Sequence, residues 1–188
     1  VGAQYVDRDC DLVDGVEATS LFVWTGSQQS LGTRSSPFRT MNEALAAFDP
    51  SRHTAILVAS GSYFESVQLT NGVKLYGGYS SDFARRDIVA YPTLIESPEP
   101  DFMKPNPRRG TVIAEGITSP TVISGFTIRS YDVTFRPPPG GSGKSSYAVY
   151  VKDSTSALLV SNNHVVARRG GDASPGTSGL AGQNGGRG

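Results

Sequence analysis

Four aspartates, Asp7, Asp9, Asp11 and Asp14, fall within the stretch YVDRDCDLVDG near the start of the chain. Alternate carboxylates from one loop can converge on Ca²⁺, a hard ion that takes about six to eight oxygen ligands. The stretch lacks the glycine and the distal bidentate glutamate of an EF-hand loop. Calcium is therefore one expectation, and a solvated acidic edge is the other. Cys10 sits in the same stretch and is the only cysteine, so no internal disulfide can form.

Aromatic side chains offer a second chemistry. Tyr63, Tyr76, Tyr79, Tyr131, Tyr147 and Tyr150 all lie in strand-like stretches. Tyr76, Tyr79, Tyr131 and Tyr150 are the candidates for stacking on sugar rings, since an aromatic face combines a large apolar area with a polar handle. The competing expectation is packing against loops and a cap. Arg129, Lys152, Arg168 and Arg169, with Asp132 and Asp153, could become neighbours if successive turns of chain stack. The two histidines, His53 and His164, fit neither a Ser-His-Asp arrangement nor metal-ligand spacing. GSGKSS is not a phosphate loop, because the eight-residue spacing and the following helix are both missing.

These residues must be held by some framework, and composition narrows it. The chain has 22 glycines and 12 prolines in 188 residues, with only 18% charged side chains. That balance favours a turn-rich, all-β framework. Lys and Arg number 17 against 17 for Asp and Glu, which argues against a nucleic-acid groove. No apolar run reaches the roughly 18 residues that a membrane-crossing helix needs.

One helix is expected. Met41, Ala44, Leu45 and Phe48 recur at helical spacing inside SSPFRTMNEALAAFDPS, with Ser35 or Ser36 as the cap and Asp49-Pro50 as the stop. From residue 54 the texture changes to short strands cut by corners. TAILVAS, YFESVQL and VKLYGGY are separated by Gly61-Ser62 and Asn71-Gly72. Similar units return later. TVISGFTIRS (121–130) aligns with LLVSNNHVVA (158–167), and TVIAEG (111–116) with YAVYVKDS (147–154). The offset includes an insertion, FRPPPGGSGKSS (135–146), whose removal leaves a coil of roughly 25 residues. A repeat of that length made only of strands and corners points to a β-solenoid. Asn71, Asn162 and Asn163 suit its corners, since Asn tolerates the left-handed conformation and can bond the adjacent coil. The helix at 37–48 is placed to cap the first coil.

GTRSSPFRTMNEAL (32–45) followed by TAILVASGSYFESVQLTNGVKLYGGYS (54–80) resembles the N-terminal cap and first coil of pectin-lyase-like proteins, which implies an all-β, right-handed parallel β-helix. The matching residues include Tyr5-Val6-Asp7, Gly32-Thr33, Pro37-Phe38-Arg39-Thr40, Ala44-Leu45, Gly61, Tyr63, Glu65 and Gly77-Gly78-Tyr79. The resemblance is to a group of bacterial secreted or cell-surface proteins without an assigned activity, and it implies that location. It specifies fold far better than function, because this fold carries lyases, hydrolases, adhesins and inert stalks. The expected function is a non-enzymatic structural or binding module, such as an adhesin, fibre or envelope component. The alternative is a fragment of a polysaccharide lyase or glycoside hydrolase. A lyase on this fold would need calcium-binding aspartates beside a basic residue, and a glycosidase a pair of carboxylates.

The end of the chain adds an assembly signal. Glycine stands at Gly176, Gly179, Gly182, Gly185 and Gly188, every third position. That period suits an extended polyproline-II-type strand, free to bundle with others, while a mobile loop is the alternative. The expected organisation is an N-terminal segment with its capping helix (1–53), coils (54–169) and a glycine segment (170–188). A last coil without a cover predicts a partner: further β-helix polypeptide, from the same protein or a cleaved fragment, or copies of this chain.

Overall fold

The computed structural model describes residues 17–105, 107, 109–176 and 179. Asp7, Asp9, Asp11 and Asp14, Cys10, and Gly182, Gly185 and Gly188 lie outside the described residues, so the calcium expectation and most of the glycine triplets are not addressed by it.

Among the described residues, twelve strands form three sheets in which every strand pairing is parallel. Sheet A orders β1 (Ser20–Val23), β2 (Ala55–Ala59), β5 (Lys74–Tyr79), β8 (Thr121–Ser124) and β11 (Leu158–Ser161). Sheet B runs from β3 (Gly61–Phe64) through β6 (Thr93–Glu96) and β9 (Thr127–Arg129) to β12 (His164–Val166). Sheet C joins β4 (Val67–Gln68), β7 (Gly110–Glu115) and β10 (Tyr147–Lys152). From β2 onward the chain visits A, B and C in strict rotation, an order compatible with a parallel β-helix.

Registered pairing turns the rotation into columns of apolar side chains. Ile56, Leu75, Ile123 and Val160 stack in sheet A. Tyr63, Ile95, Ile128 and Val165 stack in sheet B, and Val67, Val112 and Val149 in sheet C. Eight of these residues belong to the main core, and Val149 packs against it. A side chain such as Ile123, fully withdrawn from water, contributes about 1.5–3 kcal/mol.

The unbroken apolar run of β2 has a specific cause. Ile56 and Val58 point into the main core, while Ala55, Leu57 and Ala59 point the other way, into a second cluster with Phe22, Tyr79 and Phe83. Both faces of the strand are covered, so alternation disappears from its sequence.

The helix forms where expected but starts later. α1 spans Met41–Ala47, and its cap is Thr40 rather than Ser35 or Ser36. Thr40 and Glu43 make a reciprocal capping box: the Thr40 hydroxyl accepts from the Glu43 amide, and the Glu43 carboxylate accepts from the Thr40 amide. Met41, Ala44, Leu45 and Phe48 are all buried, as their spacing predicts. Glu65 reaches over from the first coil and accepts from the Met41 and Asn42 amides at 2.8 and 2.9 Å. Burial raises its pKa despite these bonds.

Three further expectations change. The apolar run LFVWT contains a strand of sheet A, so the 1–53 segment already contributes to the stack. Gly61-Ser62 is not a corner but the start of β3. The coil is not a uniform 25 residues: 19 separate Ile56 from Leu75, whereas 37 separate Val112 from Val149. Excursions at 80–92, 97–109 and 130–146 account for the spread. The alignment across the 37-residue offset holds, with Ile123 beside Val160, Ile128 beside Val165 and Val112 beside Val149. The asparagines act as expected. Asn71 donates to the Gly116 carbonyl and accepts from the Thr118 and Ser119 amides of the next coil. Asn163 bonds Ile123 and Phe126, while Asn162 takes the left-handed conformation.

Candidate functional site

The four tyrosines expected to stack on sugars separate into two pairs. Tyr79 is fully buried, and Tyr131 is 3% exposed. Neither can offer a face to a ligand, which corrects the expectation for both. Tyr79 packs at an inclined angle on Phe83 in the second cluster. The Tyr131 hydroxyl donates to the Arg109 and Ser145 carbonyls, and burial pushes its pKa up to about 12. Tyr76 is half-buried, with the Arg86 guanidinium 5.0 Å from its ring centroid, so one face is already taken by a cation.

Tyr150 remains, and it lies in a groove. β10 carries Tyr147, Tyr150 and Lys152; β7 supplies Glu115; β4 supplies Gln68. Two adjoining hollows of about 610 and 390 Å³ run along this side of sheet C and share Pro107 and Arg109. Tyr150, Lys152, Glu115 and Gln68 line the larger hollow. Tyr147, Lys104, Lys144 and Phe102 line the smaller one. The Tyr147 and Tyr150 rings meet edge to face at 5.5 Å. Room for Tyr150 comes from Gly110, where an added Cβ would stand 2.9 Å from the Tyr150 Cβ.

The groove is cationic. Lys104, Arg109, Lys144 and Lys152 face one carboxylate, Glu115. Among the described residues none of Lys104, Arg109 and Lys144 has an ion pair, and Lys152 only touches its exposed neighbour Asp153 at 3.4 Å. In a chain with no net charge, this concentrates positive potential at one place.

The groove's outer wall consists of excursions stacked on each other. Glu99 accepts from the Thr134 and Phe135 amides at 2.8 and 2.9 Å, and from the Thr134 hydroxyl. Phe102 packs against Phe135 and Tyr131, with centroids 5.5 and 6.4 Å away. The excursion at 97–109 is thus fastened to the arm at 130–146.

The other charged candidates form a separate group on sheet B. Arg129 pairs with Glu96 at 3.2 Å, and Arg168 bridges Glu96 at 3.0 Å and Asp132 at 3.2 Å. Arg169 pairs with Asp172. Stacking does make neighbours of them, but they neutralise one another and leave no converging cations. His53 accepts from the Asp49 amide in a surface turn, and His164 is exposed on β12. Among the described residues no group of three or more His, Cys, Asp or Glu is placed to hold a metal ion.

Sequence reasoning missed Lys104, Arg109 and Lys144. Their signal was the stretch KPNPRRG (104–110), basic and proline-broken just ahead of a strand, together with the GSGK tip of the arm.

No curated protein and no solved structure matches the chain. Residues 24–175 match one described family, which is associated with parallel β-helix proteins. With that much of its length matched, the chain belongs to the family described as Protein of unknown function (DUF1565).

Proposed function

We propose that this chain is a right-handed parallel β-helix, capped by α1, that serves as a non-enzymatic binding module of a secreted or cell-surface bacterial protein. Its ligand is an anionic glycan lying along sheet C. One observation carries the reading: exposed Tyr147 and half-buried Tyr150 line the same groove as Lys104, Arg109 and Lys144, which have no ion pair among the described residues. Aromatic faces hold sugar rings, and Lys and Arg hold carboxylate or sulfate groups. The location is supported by the sequence resemblance. The strict rotation through three parallel sheets supports the β-helix, and the burial of α1's own Met41, Ala44 and Leu45 in the main core supports the cap.

Further β-helix polypeptide is the partner proposed for the far end. Val160 and Val165 are 39% and 48% exposed, although Ile123 and Ile128, one coil earlier in the same columns, are fully buried. No helix among the described residues is long and apolar enough to cross a membrane.

The test is an array of anionic and neutral glycans probed with the purified chain. Selective retention of anionic glycans, weakened by salt, is expected. Equal binding of neutral glycans, or none to any anionic one, would overturn the proposal. Release of unsaturated or reducing ends from a bound glycan would replace it with the lyase or hydrolase alternative.

A further inference from the structure

The glycine-rich segment touches the groove's wall. Its first residues bond the preceding arm at several points. The Val133 amide donates to the Arg169 carbonyl at 3.0 Å, the Gly171 amide to the Lys144 carbonyl at 2.7 Å, and the Ser174 amide to the Gly141 carbonyl at 3.1 Å. The Ser174 hydroxyl donates to the Pro137 carbonyl. The two backbones approach so closely that side chains are excluded. A Cβ on Gly143 would meet the Gly171 carbonyl oxygen at 2.2 Å. One on Gly171 would meet Val133 Cγ1 at 2.7 Å and the Lys144 nitrogen at 3.3 Å. The segment's start is therefore an ordered clasp on the arm.

What the clasp holds is Lys144, flanked by Gly143 and Ser145 on the rim of the smaller hollow. Glycine and serine leave a chain free to wander, so an arm tip reading GGSGKSS has no local reason to present its lysine in one place. A backbone bond to the Lys144 carbonyl supplies that reason. We propose that Gly171 is a positioning residue for anion binding: through its bond to Lys144 it fixes the lysine on the groove wall. The proposal rests on the anionic-glycan reading of the groove. Gly171 lines neither hollow. Its contribution therefore passes through Lys144.

The test is a double-mutant cycle on the full chain, titrated with heparin oligosaccharides as a general anionic glycan. Gly171→Ala is expected to weaken binding several-fold, to flatten its salt dependence, and to have no further effect in a Lys144→Ala background. Unchanged affinity, or the same fold-loss in both backgrounds, overturns the proposal. Amide hydrogen exchange at position 171 and at Ser174, whose amides bond the Lys144 and Gly141 carbonyls, gives an independent readout. Should the natural chain fail to bind heparin, the groove reading fails for this probe, and exchange alone decides on the clasp. Faster exchange in Gly171→Ala than in the natural chain supports it, and unchanged exchange overturns it.

Discussion

Sheets B and C both bring charged side chains from successive coils into line, with opposite results. On sheet B, Arg129, Glu96, Arg168 and Asp132 alternate in sign and close on one another. Beside sheet C, Lys104, Arg109, Lys144 and Lys152 line two adjoining hollows whose one carboxylate is Glu115. Stacking creates the alignment in both places, and the sign pattern decides its use. Alternating charges satisfy each other and fasten coils together. Like charges repel across the same spacing and are held there by the framework, so their field remains available to an anion.

The strongest way to break the contrast is to remove the groove's two kinds of contact together. Arg109→Ala with Tyr150→Ala should cut affinity for the best anionic glycan at least about a hundredfold, since charge-assisted bonds and ring stacking each contribute on the order of 1–3 kcal/mol. Thermal melting should barely move, because Arg109 is exposed and Tyr150 only half-buried. A large fall in melting temperature with unchanged binding would assign the groove a structural role instead.

Glu96→Ala is the converse. It leaves Arg129 and Arg168 without the carboxylate they share, and both arginines are about one-third exposed. A loss of about 1 kcal/mol is expected, which is roughly 2–4 °C in melting temperature for a chain of this size. Calorimetry reads the stability, and glycan affinity measured beside it should not change.

Salt sharpens the same comparison by a smaller amount. Raising ionic strength should weaken glycan binding progressively, as expected for exposed charges. The stability difference between Glu96→Ala and the natural chain should shrink less, because Glu96 is only 23% exposed. Equal sensitivity of the two would remove the distinction between paired and open charges.

The smallest effect lies outside both sheets, at the α1 junction. Burial raises the pKa of Glu65 above its unfolded value of 4.5. The folded chain therefore holds a proton there that the unfolded chain releases. The resulting stability is full below the unfolded value and is lost as pH rises through the folded one. Glu43, which accepts bonds from Ser30 and from the Arg39 and Thr40 amides, is shifted downward and acts in the opposite sense. Its contribution is present above the unfolded value and is lost as pH falls through the folded one. Subtracting the stability curve of Glu65→Gln from that of the natural chain isolates the Glu65 contribution. A difference that grows with rising pH would contradict the assignment.

Much of the framework was legible in the residues. The spacing of Met41, Ala44, Leu45 and Phe48 identified the helix and its buried face. The paired stretches 121–130 and 158–167 located stacked strands residue for residue, because a parallel ladder demands matching apolar positions. The helix cap was misplaced because three hydroxyl residues precede the helix, and only Thr40 has a glutamate three residues on. The strand inside LFVWT was left unassigned because its partner, β2, lies beyond the helix.

The site was far less legible. Tyr79 and Tyr150 look alike in sequence, each near the end of a short strand rich in tyrosine. Tyr79 is turned into a cluster with Phe22 and Phe83, whereas Tyr150 passes over Gly110 to the surface. Lys104, Arg109 and Lys144 come from two excursions with no shared period, and only the stacking of one coil on the next brings them together.

By itself, then, the sequence determined the all-β class, the helix, the corner asparagines and the stacked repeat, because each follows from local periodicity or from turn chemistry within a few residues. Tertiary structure alone decided which tyrosines are open, which charges cancel and which remain available. Those outcomes depend on register between segments tens of residues apart. A shift of a single position in that register would turn the core-facing side chains of the shifted strand away from the core.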